Sequence, residues 1–389
     1  MSASAGEGVP ATLMRGGSCR ALCLLARDLP GRGAEREVLL ARLLGSPDPS
    51  GRQIDGLGGA LPETSRVVVV SASLRDDCDV DAFFGAVCPR EGRIDWSGGE
   101  SDLVAAAAMF ALHSALLPIE EGVTRVRLWH AGARLRVDAL VPVRDGRIVA
   151  STGRGEAAGV AGGTEVRLEL LDPTDGASGG ALLAEGLAVR RLSVPGLGVV
   201  EATVLGGAWP ALFVRAAALG LDGRENLSAL ARDRRLRTRC QALLSAAAGM
   251  LPRPAAGAQR ALFGNDDADA DPLLVWVAAP ATYRSAAGAE VSAAEVDLLA
   301  RGWRGGSALA ATPLSAAIAV AVAAAVPGSL VHAVARTLPG LPTRIGLPDG
   351  PLAVGADLAQ RSPGWTVESV SLSHGARRLM TGRVYPPVA

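Results

Sequence analysis

The spacing of apolar positions changes several times along the chain, and each change marks an element. From Thr12 to Ala26 apolar residues run on either side of Gly16 and Gly17, the pattern of a strand, a tight turn and a second strand. The residues before Leu13 hold no apolar period and read as disordered. Arg36 to Leu44 has helical spacing and stops at Gly45-Ser46-Pro47. Val67 to Val70 is an unbroken β-branched run, suited to a buried strand. Asp79 to Val87 reads as a helix. Asp102 to Leu117 is apolar nearly all round, so this helix belongs in the middle of a core. Val123 to Trp129, Arg134 to Pro142 and Arg147 to Ala150 alternate polar and apolar residues. They predict antiparallel strands joined by turns at Gly132 and Asp145-Gly146.

The second half repeats this order. Leu273 to Val277 is an apolar strand, followed later by Trp303-Arg304-Gly305-Gly306-Ser307. An Ala-rich helix, Pro313 to Val326, comes next, with Thr312 as N-cap and Pro313 as first helical residue. Strands return at Thr343–Leu347, Leu352–Val354 and Val367–Leu372. The elements Trp96-Ser97-Gly98-Gly99 and Trp303-Arg304-Gly305-Gly306 lie about 207 residues apart, and the strands before them about 206. Strand, glycine turn, helix and strands recurring at one offset point to an internal duplication in an α/β chain. The linker between the two lobes falls near Gly179 to Glu185.

Composition narrows the function. A chain of 389 residues with 49% hydrophobic residues can bury two cores, and its 3% aromatic content leaves close packing to Gly and Ala. The formal net charge of zero gives no electrostatic footprint for nucleic acid or a membrane surface. All 39 basic residues are Arg, so no Schiff base can form and no lysine can act as a base. Five cysteines without a CxxC pair argue against a disulfide framework and a structural zinc site. No two His and carboxylates have metal-ligand spacing. The N-terminus lacks the basic and apolar regions of a signal peptide, and the Pro313–Val326 run is shorter than the ~20 residues of a membrane span. The expectation is a cytoplasmic protein acting on a small molecule.

Each apolar helix starts just after a glycine-rich turn. A helix N-terminus presents unpaired N–H groups and a partial positive charge, and glycines let an anion approach the backbone. Two such starts facing one cleft could hold a carboxylate and an enolate-like charge. The plainer reading of Gly98-Gly99 and Gly305-Gly306 is that they permit tight turns; both readings stay open here.

Several phrases carry a family resemblance. They are Met14-Arg15-Gly16-Gly17-Ser18, Gly45-Ser46-Pro47-Asp48, Arg52-Gln53-Ile54-Asp55-Gly56-Leu57-Gly58-Gly59-Ala60, Asp95-Trp96-Ser97-Gly98, Pro327-Gly328-Ser329-Leu330-Val331-His332 and Ala376-Arg377-Arg378-Leu379-Met380-Thr381-Gly382. In this order they resemble the landmarks of the 2-methylaconitate cis-trans isomerase (PrpF-type) family. The resemblance implies a diaminopimelate-epimerase-like fold of α/β (α+β) class. Its two pseudo-symmetric lobes would each be a mostly antiparallel sheet or barrel wrapped around a central apolar helix. The lobes would span 1–184, with its helix at about 102–117, and 185–375, with its helix at about 313–326. The last stretch, about 376–389, would return to the first lobe. The active site would lie between the lobes and use no cofactor and no metal. A homodimer is compatible with this reading.

The departures from the family pattern fall on its chemistry. Where the family has Ser-Lys this chain has Ser65-Arg66, and where it has Cys near the first helix this chain has Glu100. An Asn-Pro step becomes Trp209-Pro210, and a His-containing turn becomes Ser307-Ala308-Leu309-Ala310. Glu100 is then the candidate proton carrier and Arg66 the fixed cation for a substrate carboxylate or enolate oxygen. The plainer readings are an acidic residue in a first helical turn and an ion pair of Arg66 with Glu63 or Asp55. Arg15, Ser18, Ser65, Gly98, Gly99, Ser101, Trp209, Ser307 and Thr312 are candidate substrate contacts, with Trp209 equally a core residue and the serines equally turn hydroxyls. His374, in Ser-His-Gly, is a further candidate proton carrier, while His113 reads as structural. The expected activity is a double-bond shift in an unsaturated carboxylate larger and less polar than methylaconitate. A cyclase of polyketide-type metabolism and a non-catalytic binding protein are the alternatives.

Overall fold

The computed structural model describes residues 8–96, 101–150, 162–173, 182–207, 209–225, 230, 233–251, 272–309, 312–338, 340–361 and 364–387. The chain divides into two compact units. The first holds Met1–Glu169 and Ser373–Ala389, and the second Leu170–Gln259 and Asn265–Leu372.

In the first unit the strands are β1 (Val9–Gly16), β2 (Cys19–Leu25), β3 (Arg66–Ala72), β4 (Val80–Val87), β5 (Ile94–Asp95), β6 (Gly122–His130), β7 (Leu135–Arg144), β8 (Arg147–Ile148) and β9 (Thr164–Leu171). In the second they are β10 (Arg190–Val194), β11 (Gly198–Leu205), β12 (Ala211–Arg215), β13 (Leu273–Ala278), β14 (Tyr283–Arg284), β15 (Glu290–Val291), β16 (Leu298–Arg304), β17 (Ser307–Ala308), β18 (Thr343–Leu347) and β19 (Gly350–Arg361). The last strand, β20 (Gly364–Val384), contributes its first part to the second unit and its end to the first. The helices are α1 (Ala34–Leu43), α2 (Ser101–His113), α3 (Arg234–Ala247), α4 (Leu314–Ala325) and the short α5 (Leu330–Val334).

The wall of the first unit closes on itself. Going round it, β20 pairs with β1, then β2, β3, β4, β6, β7 and β9, and β9 pairs back to β20. A closed eight-stranded barrel results, which leaves no open sheet edge along that ring. Inside it runs α2, whose residues Leu103 to Leu112 are all at most 3% exposed. In the second unit the chain of pairings is β10, β11, β12, β13, β16, β18, β19 and β20. Its apolar helix α4 is buried from Ala316 to Ala324.

The two units share one order of strand senses. From β20–β1 to β6–β7 it reads antiparallel, antiparallel, parallel, antiparallel, parallel, antiparallel. From β10–β11 to β18–β19 the same sequence recurs. Each unit also carries a helix on the outside of its wall. Leu40, Leu43 and Leu44 at the end of α1 pack on Leu22, Leu24, Val67 and Val69. Leu236, Cys240 and Leu243 of α3 pack on Val204, Val214, Trp276 and Trp303.

Three sequence expectations need correction. The segment Asp79–Val87 is not a helix: Val80–Val87 is a strand, paired with β3 from Val80 to Ala86 and with β5 at Ala86 and Val87. A run this short fits either period, and the β-branched run beside it supplies the ladder that decides. Gly85 shows how tight the wall is, since a Cβ there would come within 2.7 Å of Ile94 Cγ2 and 2.9 Å of Val67 Cγ2. The N-terminal stretch is ordered from Val9, because β1 is zipped between β2 and the end of β20. Finally, α4 has Pro313 as its N-cap with no side-chain cap, so the Thr312 hydroxyl does not cap it. The start of α3 does have a side-chain cap. Asp233 accepts from the amides of Arg235 at 2.8 Å and Leu236 at 3.2 Å.

Removing that cap should be visible in isolation. Asp233→Ala is expected to lower the unfolding free energy by about 1 kcal/mol, measured by chemical denaturation, because two first-turn amides lose their acceptor. An unchanged denaturation midpoint would show that α3 is held by its apolar face alone.

Candidate functional site

The start of α2 is built into the turn between β1 and β2. Gly17 stands at φ +51, and a Cβ on it would lie 2.7 Å from the Asp102 carboxylate. A Cβ on Gly16 would run into the Asp102 carbonyl oxygen. Two glycines are therefore required here by space, and by φ as well at Gly17. Asp102 seals the contact: its Oδ2 accepts the Ser18 amide at 3.0 Å and the Ser18 hydroxyl at 2.7 Å. A carboxylate in the first turn also suits the helix dipole.

Arg15 serves the same turn. Its Nη1 donates to the carbonyls of Gly17 at 3.0 Å and Gly375 at 3.2 Å, and its Nη2 to Gly162 at 3.3 Å. The Gly17 amide donates to the Gly375 carbonyl at 2.9 Å. Arg15 and Ser18, expected as substrate contacts, thus spend these donors on tying β1, β20 and α2 together. His374, 6% exposed, is the neighbour of Gly375 in β20.

Arg66 opens β3 and is only 9% exposed. Val67 and Val69 pack on the outer side with α1, so the alternation of a strand turns Arg66, Val68 and Val70 to the side of α2. In register Arg66 lies beside Ala21 on one side and Ala86 on the other, and Ala86 in turn lies beside Asp95. The row Ala21, Arg66, Ala86, Asp95 therefore crosses the wall near the barrel end at which α2 begins. The two alanines flanking Arg66 leave it space. Residues 97–100, which include Gly98, Gly99 and Glu100, lie outside the described residues, as does the side chain of Ser101.

Ser65 has a different task from the one expected. It is 1% exposed, and its hydroxyl donates to Gln53 Oε1 at 2.5 Å. Gln53 is a hub: it is also 1% exposed, its Oε1 accepts the Ala60 amide at 2.9 Å, and its Nε2 donates to Ser46 Oγ at 2.9 Å. Asp48 holds the same loops. Its carboxylate accepts from the Ser50 hydroxyl and from the amides of Ser50, Arg52 and Gln53. The Ser50 hydroxyl, then the Gln53 amide, pull its pKa down from 3.8 to about 2. The residues quoted above as family landmarks, 45–48 and 52–60, are thus a bracket beneath the start of β3. The sequence marked these residues without showing their purpose; the signal was a glutamine and two aspartates among four glycines.

In the second unit, Trp209 is 3% exposed and lies before β12. Ser307, in β17, is exposed, and its hydroxyl donates to the Arg304 carbonyl at 3.5 Å. The Thr312 amide, just ahead of α4, donates to Asp349 Oδ1 at 3.4 Å. A residue the sequence did not single out, Arg301, is 1% exposed. It donates to the carbonyls of Ala300 and Gly346, both at 2.8 Å, and lies over the Tyr283 ring.

Comparison with known proteins gives a consistent result. A family model described as PrpF protein matches residues 7–387. The chain is 37% identical to the 2-methyl-aconitate isomerase of Cupriavidus necator, covering 97% of each chain. It is 36% identical to the 2-methyl-aconitate isomerase of Shewanella oneidensis over the same shares. The crystal structure of a methylitaconate-delta-isomerase superimposes with a TM-score of 0.82 at 27% identity, covering 97% of this chain and 95% of that one.

The bracket should leave a mark in acid. The folded-state pKa of Asp48 is depressed, so its contribution to stability is full above its unfolded value near 3.8 and is lost as pH falls through about 2. Asp48→Asn should therefore flatten the stability–pH curve of the native protein in that window, followed by thermal unfolding. If wild type and variant lose stability in parallel there, Asp48 is not the group responsible.

Proposed function

Because the chain belongs to the PrpF family, we propose that it shifts a double bond in an unsaturated carboxylic acid by proton transfer, without a cofactor. The enzyme is an isomerase. The reaction balances within one substrate. A C–H bond beside the conjugated system breaks, its electron pair moves into a dienolate, and a proton returns two carbons away. No oxidant or reductant enters.

The observation that carries the reading is Arg66, a guanidinium held 9% exposed on the α2 side of β3, between two alanines. A cation fixed there suits a substrate carboxylate, and it stabilises the negative charge that grows on that carboxylate as the proton leaves. Arg66 cannot carry the proton itself, since its pKa lies above about 12. That role falls to Glu100, which directly precedes α2 in the sequence. One carboxylate on one face of the substrate suffices for a shift between carbons two apart. The substrate is larger and less polar than a tricarboxylate. Trp209, Ala308 and Leu309 support this, standing where the family pattern has polar residues.

The test is a panel of unsaturated mono-, di- and tricarboxylates with increasing alkyl length, assayed in heavy water. Turnover should place solvent deuterium in the product. Glu100→Gln should cost roughly 10²- to 10⁴-fold in kcat while the protein stays folded. Full turnover by that variant would remove Glu100 from the mechanism. Tight binding without turnover across the panel would favour a non-catalytic protein.

A further inference from the structure

Gln53 lies outside any contact a substrate could make, yet its amide ends on the residue next to Arg66. Its side chain is 1% exposed, and so is that of Ser65. The bond from the Ser65 hydroxyl to Gln53 Oε1, at 2.5 Å, is therefore formed where water does not compete. Ser65 and Arg66 are successive residues at the mouth of β3. The strand alternation sends Ser65 towards the bracket and Arg66 towards α2.

The other contacts fix Gln53 in turn. Its amide donates to Asp48 Oδ2 at 2.8 Å, its Nε2 donates to Ser46 Oγ at 2.9 Å, and its Oε1 accepts from Ala60 N at 2.9 Å. Gly58 closes over the side chain, since a Cβ at that position would run into the Gln53 amide. Gln53 also holds φ 52, a left-handed conformation that a non-glycine residue keeps only where its surroundings dictate it. On the far side, the Ser65 carbonyl accepts the Val87 amide at 2.9 Å. The backbone at the root of Arg66 is thus clamped between the bracket and β4.

We infer that Gln53 is a positioning residue for Arg66: it holds Ser65, and through Ser65 sets where the Arg66 guanidinium meets the substrate carboxylate. The inference rests on the reading of Arg66 as the substrate's cation. A primary amide is what this place demands. It must donate one bond and accept two, and its chain must be long enough to span Ser46, Ala60 and Ser65 together. Asparagine keeps the chemistry but is one methylene short.

Steady-state kinetics on the full chain, with the acid from the panel that is turned over best, test the idea in a double-mutant cycle. The variants are Gln53→Asn, Ser65→Ala and Arg66→Ala, with the two combinations on Arg66→Ala. Ser65→Ala removes a single hydroxyl and guards against a Gln53 variant that fails to fold. Gln53→Asn and Ser65→Ala should each raise KM roughly tenfold or more, as displaced binding groups do. Neither should add a loss on the Arg66→Ala background. If their losses multiply with that of Arg66→Ala, or if Ser65→Ala matches wild type, Gln53 is scaffolding and the inference falls. If Arg66→Ala alone changes neither KM nor kcat, the role of Arg66 is what failed, and the inference goes with it.

Discussion

A helix that is apolar on every face has no side to give to solvent. That constraint shapes the first unit. Leu103 to Leu112 of α2 are buried on all sides, and a sheet closed into a ring surrounds them. Closure in turn explains the long last strand. Residues 376–384 of β20 return to pair with β1, and β9 closes the other edge. Small residues make the fit possible. Ala105 to Ala108 let the wall approach α2 closely, as Ala316, Ala317, Ala319, Ala321, Ala323 and Ala324 do along α4. The low aromatic content of the chain is then a packing choice: where a helix and its wall must nearly touch, alanine does the filling.

Closing the ring also decides what the helix start can offer. The Gly16-Gly17 turn lies against Asp102, so the first turn of α2 is occupied by protein on that side. This glycine pair is a socket for a carboxylate of the chain itself. Arg15 reinforces the seal with its bonds to three backbone carbonyls. Arg66, the cation we propose for the ligand, lies at the start of β3, one strand further round the wall.

Much of the fold was legible because its strongest signals are local. The unbroken valines at 67–70 became β3, the turn at Gly16-Gly17 joined two strands, and both apolar helices lie where their periodicity put them. The repeat was legible through its spacing, and the matching order of strand senses supports it independently. What escaped was whatever depends on a distant partner. The stretch 80–87 is a strand because β3 and β6 flank it, and residues 9–13 are ordered because β20 comes back some 370 residues later. The structural tasks of Arg15, Ser18 and Ser65 were not legible. Ser65 and Arg66 read as one dipeptide with one purpose, yet a strand turns neighbours to opposite faces. One belongs to the scaffold and the other faces the helix.

A chain with no lysine divides labour in a way a lysine-bearing one need not. A buried lysine can hold an anion while protonated and accept a proton once its pKa is depressed, so one residue can serve both binding and transfer. A guanidinium cannot change roles in this way; it stays charged through every step. With Arg66 as the cation we propose, electrostatic stabilisation is constant and proton movement must rest on another group. The consequence is directional. An enzyme whose cation never releases its proton is poorly suited to exchange between opposite faces of a carbon, which needs a carrier on each side. It is well suited to a shift along one face, where a single carboxylate works beneath a fixed positive charge. The steadiness of that charge is useful only if its position is equally steady. A guanidinium binds a carboxylate through two parallel bonds in one plane and tolerates little displacement. That demand is the one we infer the bracket of Asp48, Gln53 and Ser65 to answer.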